Sequence, residues 1–364
     1  MTVETPPEFI AEVVRLLKTR WHSGRKSFQV SEIEILTGKL CHISDTAPWL
    51  RFLMSQLYTS IAAALGANNA HLISTNKAYR EAIKTAKLKP SQDTPAIHIS
   101  FAQSTSASRV HKCKQVHFLN KTLKRELQFI LKVLSDPSIS KKRPIAHLVA
   151  RDHDSEGHSD SSLKAGGGFS IQMCFWWYIE WPECIQKHTL IYIKNSKSGD
   201  LISINALEYA SLLINFAAAT HYWVFRQKCL DSRSNSYPVV LLWADNTTAE
   251  SWMTKGCKES AAGRALGLLQ CAMMLNNPVG TNTGHIDTKS NVIADRISRF
   301  KKETNSLIDF NILLQDYPQL RSCQRFHPSA GLISLITEAL LHKKCADPVA
   351  VNRLILSDPG RIIT

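Results

Sequence analysis

The sequence predicts an α/β protein, in which a mixed five-stranded β-sheet is flanked by helices, with a helical region before it and a helical tail after it. Three observations lead to this prediction. Residues 237–243 form a continuous apolar run, which is typical of a strand buried inside a sheet. Residues 205–221 and 261–275 carry apolar side chains at helical spacing. Across 147–300 the predicted order is β, β, β, α, β, α, α, β, α, which places helices on a mixed sheet.

The first region, residues 1–72, is predicted to be helical. Apolar side chains recur there at helical spacing in Phe9, Val13, Leu16, Leu17 and Trp21. A capping box is expected at Ser31–Glu34, and Pro48 is suited to open a further helix. We therefore expect a small helical unit ahead of the sheet.

Residues 73–146 form a basic connection or linker region. From Lys77 to Arg143 there are 15 lysines and arginines against 4 acids. Helices are predicted over 74–87 and 117–135, separated by a polar loop over 89–108, and Lys141–Arg143 resembles a linker. The cations, including Lys112 and Lys114, are either contacts for nucleic-acid phosphates or a solvated helix face.

The remaining elements belong to 147–300 and to a helical tail over 301–364. Gly166–Gly168 and Ser198–Asp200 are predicted to be turns. Further strands are expected within 169–177, 189–193, 201–204 and 279–286, and a last helix over 292–300.

Charge is distributed unevenly along the chain. Residues 1–150 contain 22 lysines and arginines and 10 acids, whereas residues 151–300 contain 14 of each. A basic block favours a polyanionic partner such as nucleic acid. The neutral block has enough carboxylates to hold metal ions against such a partner.

Several classes of protein are excluded by composition. The first residues show no secretory signal, and the longest apolar stretch, 209–225, is interrupted by polar residues. Nine scattered cysteines lack a Cys-x-x-Cys pair or zinc spacing, so we expect reduced thiols. There is no P-loop and no dinucleotide fingerprint. These features predict an intracellular protein, cytoplasmic or nuclear, with no membrane partner.

Four acids stand where a charge is expensive to bury, namely Asp160, Glu208, Asp245 and Asp295. Each has an ordinary structural explanation. Glu208 would be favourable in a helix first turn, Asp245 would serve as an N-cap, and Asp295 would pair with Arg299. Taken together, in this order of elements, they favour one carboxylate site.

The segment 285–299, HIDTKSNVIADRISR, is similar to the ending of retroelement RNase H domains, H-I-x-G-x-x-N-x-x-A-D-x-[LI]-S-R. Thr288 replaces the usual glycine, which affects only a turn. That family carries an Asp on the first strand, a Glu on the first helix, an Asp ending the fourth strand and an Asp on the last helix. The matching positions are Asp160, Glu208, Asp245 and Asp295.

A weaker resemblance covers residues 30–60. The strings EILTGKL at 34–40 and PWLRFL at 48–53 are similar to the thumb-side segment of DIRS-like reverse transcriptases. No Tyr-x-Asp-Asp occurs, so the polymerase palm is missing. The chain thus resembles the C-terminal part of a retroelement reverse transcriptase, and the remaining polymerase part of the polyprotein is an expected partner.

The resemblance implies hydrolysis of the RNA strand of an RNA–DNA hybrid with two Mg²⁺ ions, for which Mn²⁺ is an allowed substitute. It implies that Asp160 bridges both ions, that Glu208 and Asp245 hold the leaving-group ion, and that Asp295 holds the water-side ion. His285 would shuttle protons from a mobile loop, the alternative being an ordinary surface histidine.

Substrate contacts are less specific. Asn205 and Asn246 would bond sugar edges in the minor groove, or else cap helices. Lys124 and Arg125 would contact phosphates. The three tryptophans at 176, 177 and 181 would pack in the core rather than stack on bases.

Two other function classes remain open. A decayed or domesticated copy would bind nucleic acid without cutting it. A DDE-type integrase or transposase would share the fold, although it would use three acids and would not need the ending found at 285–299.

Overall fold

A computed structural model of the chain describes residues 2–75, 116–137, 143–148, 152–194, 202–226, 238–257, 260–275, 277–300, 306–344 and 347–363. Several predictions lie wholly or largely outside these residues. They are the helix over 74–87, the loop over 89–108, the turn at 198–200, and the four lysines Lys112, Lys114, Lys141 and Lys142.

The N-terminal part is helical, as predicted. It contains α1 (Pro7–Arg20), α2 (Val30–Ser44), a 3₁₀ helix (Pro48–Met54), α3 (Ser55–Thr75) and α4 (Lys121–Leu134). The capping box of α2 is formed by Gln29 and Glu32, two residues before the predicted one at Ser31–Glu34. The helix therefore begins at Val30, so that Ile33, Leu36 and Leu40 lie on its buried face.

Four short strands tie this part together. They are β1 (Thr2–Val3), β2 (Ser27–Phe28), β3 (His117–Phe118) and β4 (Arg143–Pro144). β1 pairs antiparallel with β4, and β2 pairs antiparallel with β3. Each pair joins segments that are distant in sequence, which brings α4 back onto α1 and α3.

The main sheet is mixed, and seven strands of the described chain belong to it. They are β5 (Ser155–Ser161), β6 (Ala165–Ser170), β7 (Phe175–Glu180), β8 (Val239–Ala244), β9 (Gly280–His285), β10 (Gln324–Pro328) and β11 (Gly360–Ile363). The order across the sheet is β11-β10-β7-β6-β5-β8-β9. β5, β6 and β7 are antiparallel neighbours, whereas β8 runs parallel to β5 and β9 parallel to β8.

The helices that follow pack on this sheet or beside it. They are α5 (Glu183–Lys194), α6 (Ile204–His221), α7 (Thr247–Lys255), α8 (Ala261–Met274), α9 (Val292–Ser298), α10 (Ser306–Asp316), α11 (Ala330–His342) and α12 (Pro348–Ser357). Shorter turns cover Ile145–His147, Tyr222–Arg226 and Pro318–Ser322. Although α6 is buried along almost its whole length, no helix in the described ranges has both the length and the apolarity needed to cross a bilayer.

Helices approach the centre of the sheet from both faces, and glycines allow it. A Cβ at Gly166 would lie 2.8 Å from Ser211 Oγ of α6. A Cβ at Gly167, on the opposite face, would lie 2.7 Å from the backbone nitrogen of Ser298 in α9. Because successive residues of a strand face opposite sides, the two neighbouring glycines admit one helix each.

The prediction of an α/β protein with a mixed sheet flanked by helices is confirmed. Four details are corrected. Residues 189–193 lie inside helix α5, and 201–204 leads into α6 with no described strand. Gly166–Gly168 lies within β6, so the turn after β5 is at 162–164. The tail after 300 is not wholly helical, because β10 and β11 extend the expected five strands to seven.

Candidate metal centre

Three of the four predicted carboxylates converge at one edge of the main sheet. Asp160 lies near the end of β5, and Asp245 directly follows β8. The carboxyl ends of neighbouring parallel strands meet at the same edge, so these two side chains lie close together. Glu208 reaches the same point from α6, which packs on β5. One oxygen from each of the three carboxyl groups lies within 4.8 Å of the other two.

This group of three, here called the acidic cluster, is largely buried. Asp160 is 5% exposed and Glu208 is 4% exposed, whereas Asp245 is partly open. Burial raises the pKa of Asp160, and the negative charge of Asp245 raises it further. Burial also raises the pKa of Glu208 well above its ordinary value, with added repulsion from Asp160 and Asp245. The two buried carboxyl groups therefore resist ionisation, and a bound cation would compensate their negative charge.

Hydrogen bonds hold two of the carboxyl groups in place. The backbone N–H of Ser161 donates to Glu208 Oε1 at 3.2 Å. The Ser298 hydroxyl donates to Asp160 Oδ2, which opposes the rise in the pKa of Asp160. The second oxygen of Glu208 is buried and has no hydrogen-bond partner among the described residues. An orphaned carboxylate oxygen beside two other carboxylates fits a hard divalent cation such as Mg²⁺.

The fourth acid, Asp295, stands beside the acidic cluster and not within it. It lies in the first turn of α9, and Arg299 donates to its Oδ1 through Nε at 2.8 Å and Nη2 at 2.6 Å. The ion pair considered from the sequence is thus present. Asp295 is nevertheless close enough that its charge raises the pKa of Asp160. The negative charges of Asp160 and Asp245 also raise the pKa of Arg299, so the guanidinium interacts electrostatically with the acidic cluster.

His285 lies at the same edge of the sheet. It is the last residue of β9, and its Nε2 is 3.2 Å from the backbone oxygen of Asp245. Its ring is exposed to solvent. The resemblance implied a loop position, whereas the structure places the residue at the strand end, paired in register with Ala244.

The two predicted asparagines contact each other. Asn246 Nδ2 donates to Asn205 Oδ1 at 2.9 Å. Asn246 Oδ1 also accepts from the backbone nitrogens of Thr248 and Ala249, so Asn246, and not Asp245, is the N-cap of α7. Because Asn246 caps α7, the carboxylate of Asp245 is not used as the N-cap.

Lys124 and Arg125 are not brought to the acidic cluster by the described contacts. Both lie on α4, where Lys124 donates to the backbone oxygen of Ser23 at 3.3 Å. Arg125 lines a cavity between α4, α8 and the residues Lys343, Lys344 and Asp347, and none of the four acids lines that cavity.

The tryptophans pack in the core, as favoured from the sequence. Trp176, Trp177 and Trp181 are each at most 2% exposed. Trp177 donates to Asn215 Oδ1 at 3.1 Å, and Trp181 donates to Ser161 Oγ at 3.2 Å. The indole of Trp181 thereby bonds to the residue that follows Asp160 in β5.

Two residues that shape the site were not singled out from the sequence. Ser298 follows Asp295 by three residues, and Arg299, the expected partner of Asp295, follows it by four, which places both on the same side of α9. Asn291, at the N-cap of α9, is buried and donates to the backbone oxygen of Ser159 at 3.1 Å. Ser298 and Asn291 both lie inside the segment 285–299, so their helical spacing from Asp295 was an available signal.

Compared with known proteins, the chain matches no family model, no curated protein sequence and no solved structure. The function proposed below is therefore supported by the residues of the site and by the resemblance of the segment 285–299.

Proposed function

We propose that this protein is a metal-dependent nuclease that hydrolyses the RNA strand of RNA–DNA hybrids, and that it is the C-terminal part of a retroelement reverse transcriptase. The observation that supports this best is the meeting of Asp160, Glu208 and Asp245 within 4.8 Å, with Asp295 and His285 alongside. These residues come from four separate elements and from the position after β8. Two of the three clustered acids are buried, and Asp160 accepts from a serine of a separate helix, which distinguishes the cluster from a chance pairing of surface acids.

The acidic cluster, together with Asp295 beside it, would bind two divalent ions. When bound, such ions supply a nucleophilic water and neutralise the charge that develops on the phosphate. Ser298 orients Asp160 through its hydroxyl, and the Ser161 N–H orients Glu208. Asp295 would hold an ion if its carboxylate were released from Arg299, and the guanidinium would then be available to a phosphate.

The proposed role of His285 is proton transfer at the rim of the site. Its imidazole is exposed, and the contact with the Asp245 carbonyl orients the ring. From this exposed position the imidazole would carry a proton between the product and solvent.

The Asn205–Asn246 pair lies beside Asp245 and presents amide groups for a nucleic-acid groove. The side-chain oxygen of Asn246 accepts the N-cap hydrogen bonds of α7. The second amide hydrogen of Asn246 and the amide group of Asn205 would bond sugar hydroxyls. The 2′-hydroxyl is the feature that distinguishes RNA from DNA, so this pair is the proposed reader of the RNA strand. The remaining polymerase part of a retroelement polyprotein is the proposed protein partner.

The test is cleavage of a labelled RNA–DNA hybrid by the full chain in Mg²⁺, with RNA–RNA and DNA–DNA duplexes as controls. We expect cleavage of the RNA strand of the hybrid alone. Asp245→Asn should lower the cleavage rate by at least about a hundredfold while hybrid binding persists. Asp287→Asn, an exposed acid between β9 and α9, is the matched control and should leave the rate unchanged. An intact fold that leaves the hybrid uncut in both Mg²⁺ and Mn²⁺ would contradict the proposal.

A second candidate function is nucleic-acid binding without cleavage, and the Asp295–Arg299 ion pair favours it. If Arg299 holds Asp295 permanently, the fourth ligand is withheld from the cluster. Arg299→Gln separates the two functions. If the protein is a nuclease that this ion pair limits, Arg299→Gln should bind metal at least as tightly as the unaltered chain. If the protein only binds nucleic acid, neither Arg299→Gln nor the unaltered chain should cleave the hybrid.

A further inference from the structure

Two free cysteines lie at the start of two neighbouring strands, outside the acidic cluster, and the proposed function uses neither of them. Cys174 ends the turn between β6 and β7, and Cys323 directly precedes β10. β7 and β10 are parallel neighbours, in which Phe175 pairs with Gln324. The two cysteines therefore occupy the positions directly before the first registered pair of the two strands.

The backbone holds these two positions close together. The N–H of Gln324, the residue after Cys323, donates to the carbonyl oxygen of Cys174 at 3.0 Å. Registered positions on neighbouring strands lie about 4.8 Å apart. A disulfide bond requires two Cα atoms that are about 4.4–6.8 Å apart. The separation that the sheet imposes on Cys174 and Cys323 is thus one that a disulfide can span.

The two sulphur atoms lie against the same turn. The Cys323 thiol donates to the carbonyl oxygen of Ser170 at 3.6 Å, and the Cys174 thiol donates to that of Ile171 at 3.3 Å. Ser170 and Ile171 are consecutive residues at the end of β6. The negative charge of an ionised Cys174 also raises the pKa of Cys323, so the two sulphur atoms are near enough to interact.

The backbone of Cys174 has a conformation that residues with a side chain rarely adopt. Its φ is 51°, in the left-handed region, and Lys343 is the one other non-glycine residue of the described chain with a positive φ. Glycine or asparagine would fit this position more easily. Backbone outliers of this kind cluster at functional sites. The turn therefore carries a thiol at a cost in backbone energy, which fits a role for the thiol itself.

The two thiols differ in exposure, and this difference sets the order in which they react. Cys174 is half-buried, whereas Cys323 is 8% exposed. Burial raises the pKa of Cys323 to about 12, so Cys323 remains a thiol at neutral pH and reacts slowly with reagents in solution. An oxidant in solution therefore reaches the sulphur of Cys174 first.

We propose that Cys174 and Cys323 form a reversible disulfide bond when the protein meets a peroxide. Hydrogen peroxide transfers one oxygen atom to the Cys174 thiol, which gives a sulfenic acid and water. The Cys323 sulphur then attacks the Cys174 sulphur, and the S–O bond breaks. The leaving hydroxide takes the proton of Cys323, so a disulfide and a second water form. The two thiols lose two electrons in total, and the peroxide gains them.

The disulfide would tie β10, and through it β11, covalently to the rest of the sheet. A dithiol reductant would restore both thiols by exchange. Inside cells, disulfides of this kind are transient and sense the redox state, because thiols are otherwise kept reduced. This site is separate from the acidic cluster and does not depend on the proposed nuclease activity.

The experiment treats the folded full chain with a small excess of hydrogen peroxide and compares it with a sample kept in a dithiol reductant. Non-reducing proteolysis and mass spectrometry identify linked peptides. We expect a Cys174–Cys323 link that the dithiol removes. The link joins residues that are distant in sequence, so the Tm of the oxidised chain should be higher by about 5 °C or more. Cys174→Ser, at a half-buried position, should abolish both the link and the rise in Tm.

Cys184→Ser is the matched control, because Cys184 is an exposed cysteine of α5. It should form the link and show the rise in Tm as the unaltered chain does. Cys323→Ser should leave Cys174 as a sulfenic acid, which dimedone labels. The proposal is overturned if the oxidised chain yields no Cys174–Cys323 peptide, if Cys174 is linked to another cysteine instead, or if the link forms only in urea.

Discussion

At the scale of single residues, the acidic cluster provides the candidate metal ligands and at the same time lowers the stability of the metal-free chain. Glu208 is buried next to Asp160 and Asp245 and has an orphaned oxygen, which is an expensive arrangement in an unliganded protein. Such groups persist where a cation compensates them. The same three side chains should therefore destabilise the chain without metal and stabilise it with metal.

Glu208→Gln tests this relation. Because burial raises the pKa of Glu208, the folded metal-free chain must either hold a proton there or bury a charge. Glutamine cannot ionise and avoids this cost, so we expect the metal-free chain to become more stable by roughly 1 kcal/mol or more. We also expect Mg²⁺ to lose its stabilising effect, which for the unaltered chain would reach about 3 kcal/mol at a hundredfold excess over Kd. Thermal unfolding in chelator and in Mg²⁺ measures both. Asp287→Asn should show neither effect, and equal stabilisation of Glu208→Gln by Mg²⁺ would contradict a metal role for Glu208.

Glu126 predicts a pH dependence of stability. Burial raises its pKa to about 8 from an ordinary value of 4.5, with Arg125 and Arg264 opposing the rise. Between these two values the folded chain retains a proton that the unfolded chain has lost. The free energy of unfolding therefore falls as the pH rises through this window, and is fully reduced above pH 8.

Glu126→Gln should remove this fall. Relative to the unaltered chain, the variant is expected to gain on the order of 4 kcal/mol in unfolding free energy between pH 4.5 and pH 9. Urea denaturation at both pH values gives the difference. Glu8→Gln, at an exposed position of α1, controls for loss of an ordinary carboxylate. Parallel pH profiles of Glu126→Gln and the unaltered chain would show that the carboxyl group is not desolvated.

At the scale of elements, the position of α9 determines whether Ser298 reaches Asp160. The helix lies against β6 at Gly167, where an added Cβ would stand 2.6 Å from Ile297 Cγ2 and 2.7 Å from the Ser298 nitrogen. The backbone nitrogen of Ser298 cannot move aside as the end of a flexible side chain can. The small residue in the strand and the serine donor in the helix are thus parts of one arrangement.

Gly167→Ala should displace α9 and destabilise the chain by about 1–3 kcal/mol, because it overpacks a tight contact. Mg²⁺ affinity should fall as well, since Asp160 loses its oriented donor. Gly38→Ala is the matched control, because an added methyl group at Gly38 of α2 meets no atom within 4 Å. That variant should gain up to about 1 kcal/mol in stability, as is usual for glycine in a helix interior. Chemical denaturation and Mg²⁺ titration measure the two quantities, and a harmless Gly167→Ala would contradict the close approach.

At the scale of the whole molecule, the sheet and the helical regions share one apolar core. Leu53 of the N-terminal part, Leu266 of α8 and Leu340 of α11 belong to the same buried cluster. α8 packs on the 3₁₀ helix Pro48–Met54, on α11 and on α12. The segment 147–300 thus leaves an apolar helix face that the rest of the chain covers.

A fragment of residues 147–300 should for this reason fail to fold stably by itself. It lacks β10 and β11 at one edge of the sheet, and it exposes the face of α8 that the other helices bury. Circular dichroism and thermal unfolding of the fragment and the full chain provide the comparison. A fragment that unfolds cooperatively near the temperature of the full chain would mean that the shared core contributes little.

Local patterns predict much of this fold and of this site. The apolar run before Asp245 and the helical spacing around Glu208 are sufficient to predict a buried strand and a buried helix. Asp295 and His285 are the residues that the resemblance of the segment 285–299 implies for the site. The strands β10 and β11 were missed because their pattern is weak and their pairing partners are distant in sequence.

By itself, the sequence determines the spacing of the apolar residues and the difference in net charge between residues 1–150 and 151–300. It also shows which carboxylates lie among apolar residues, where a charge is costly to bury. Tertiary structure alone decides that Glu208 meets Asp160 and Asp245, that Ser298 donates to Asp160, and that Arg125 lines a different cavity. The physical reason is range. Propensity and periodicity act over a few residues, whereas a carboxylate's partner, burial and pKa depend on side chains brought from more than a hundred residues away, as Ser298 is to Asp160.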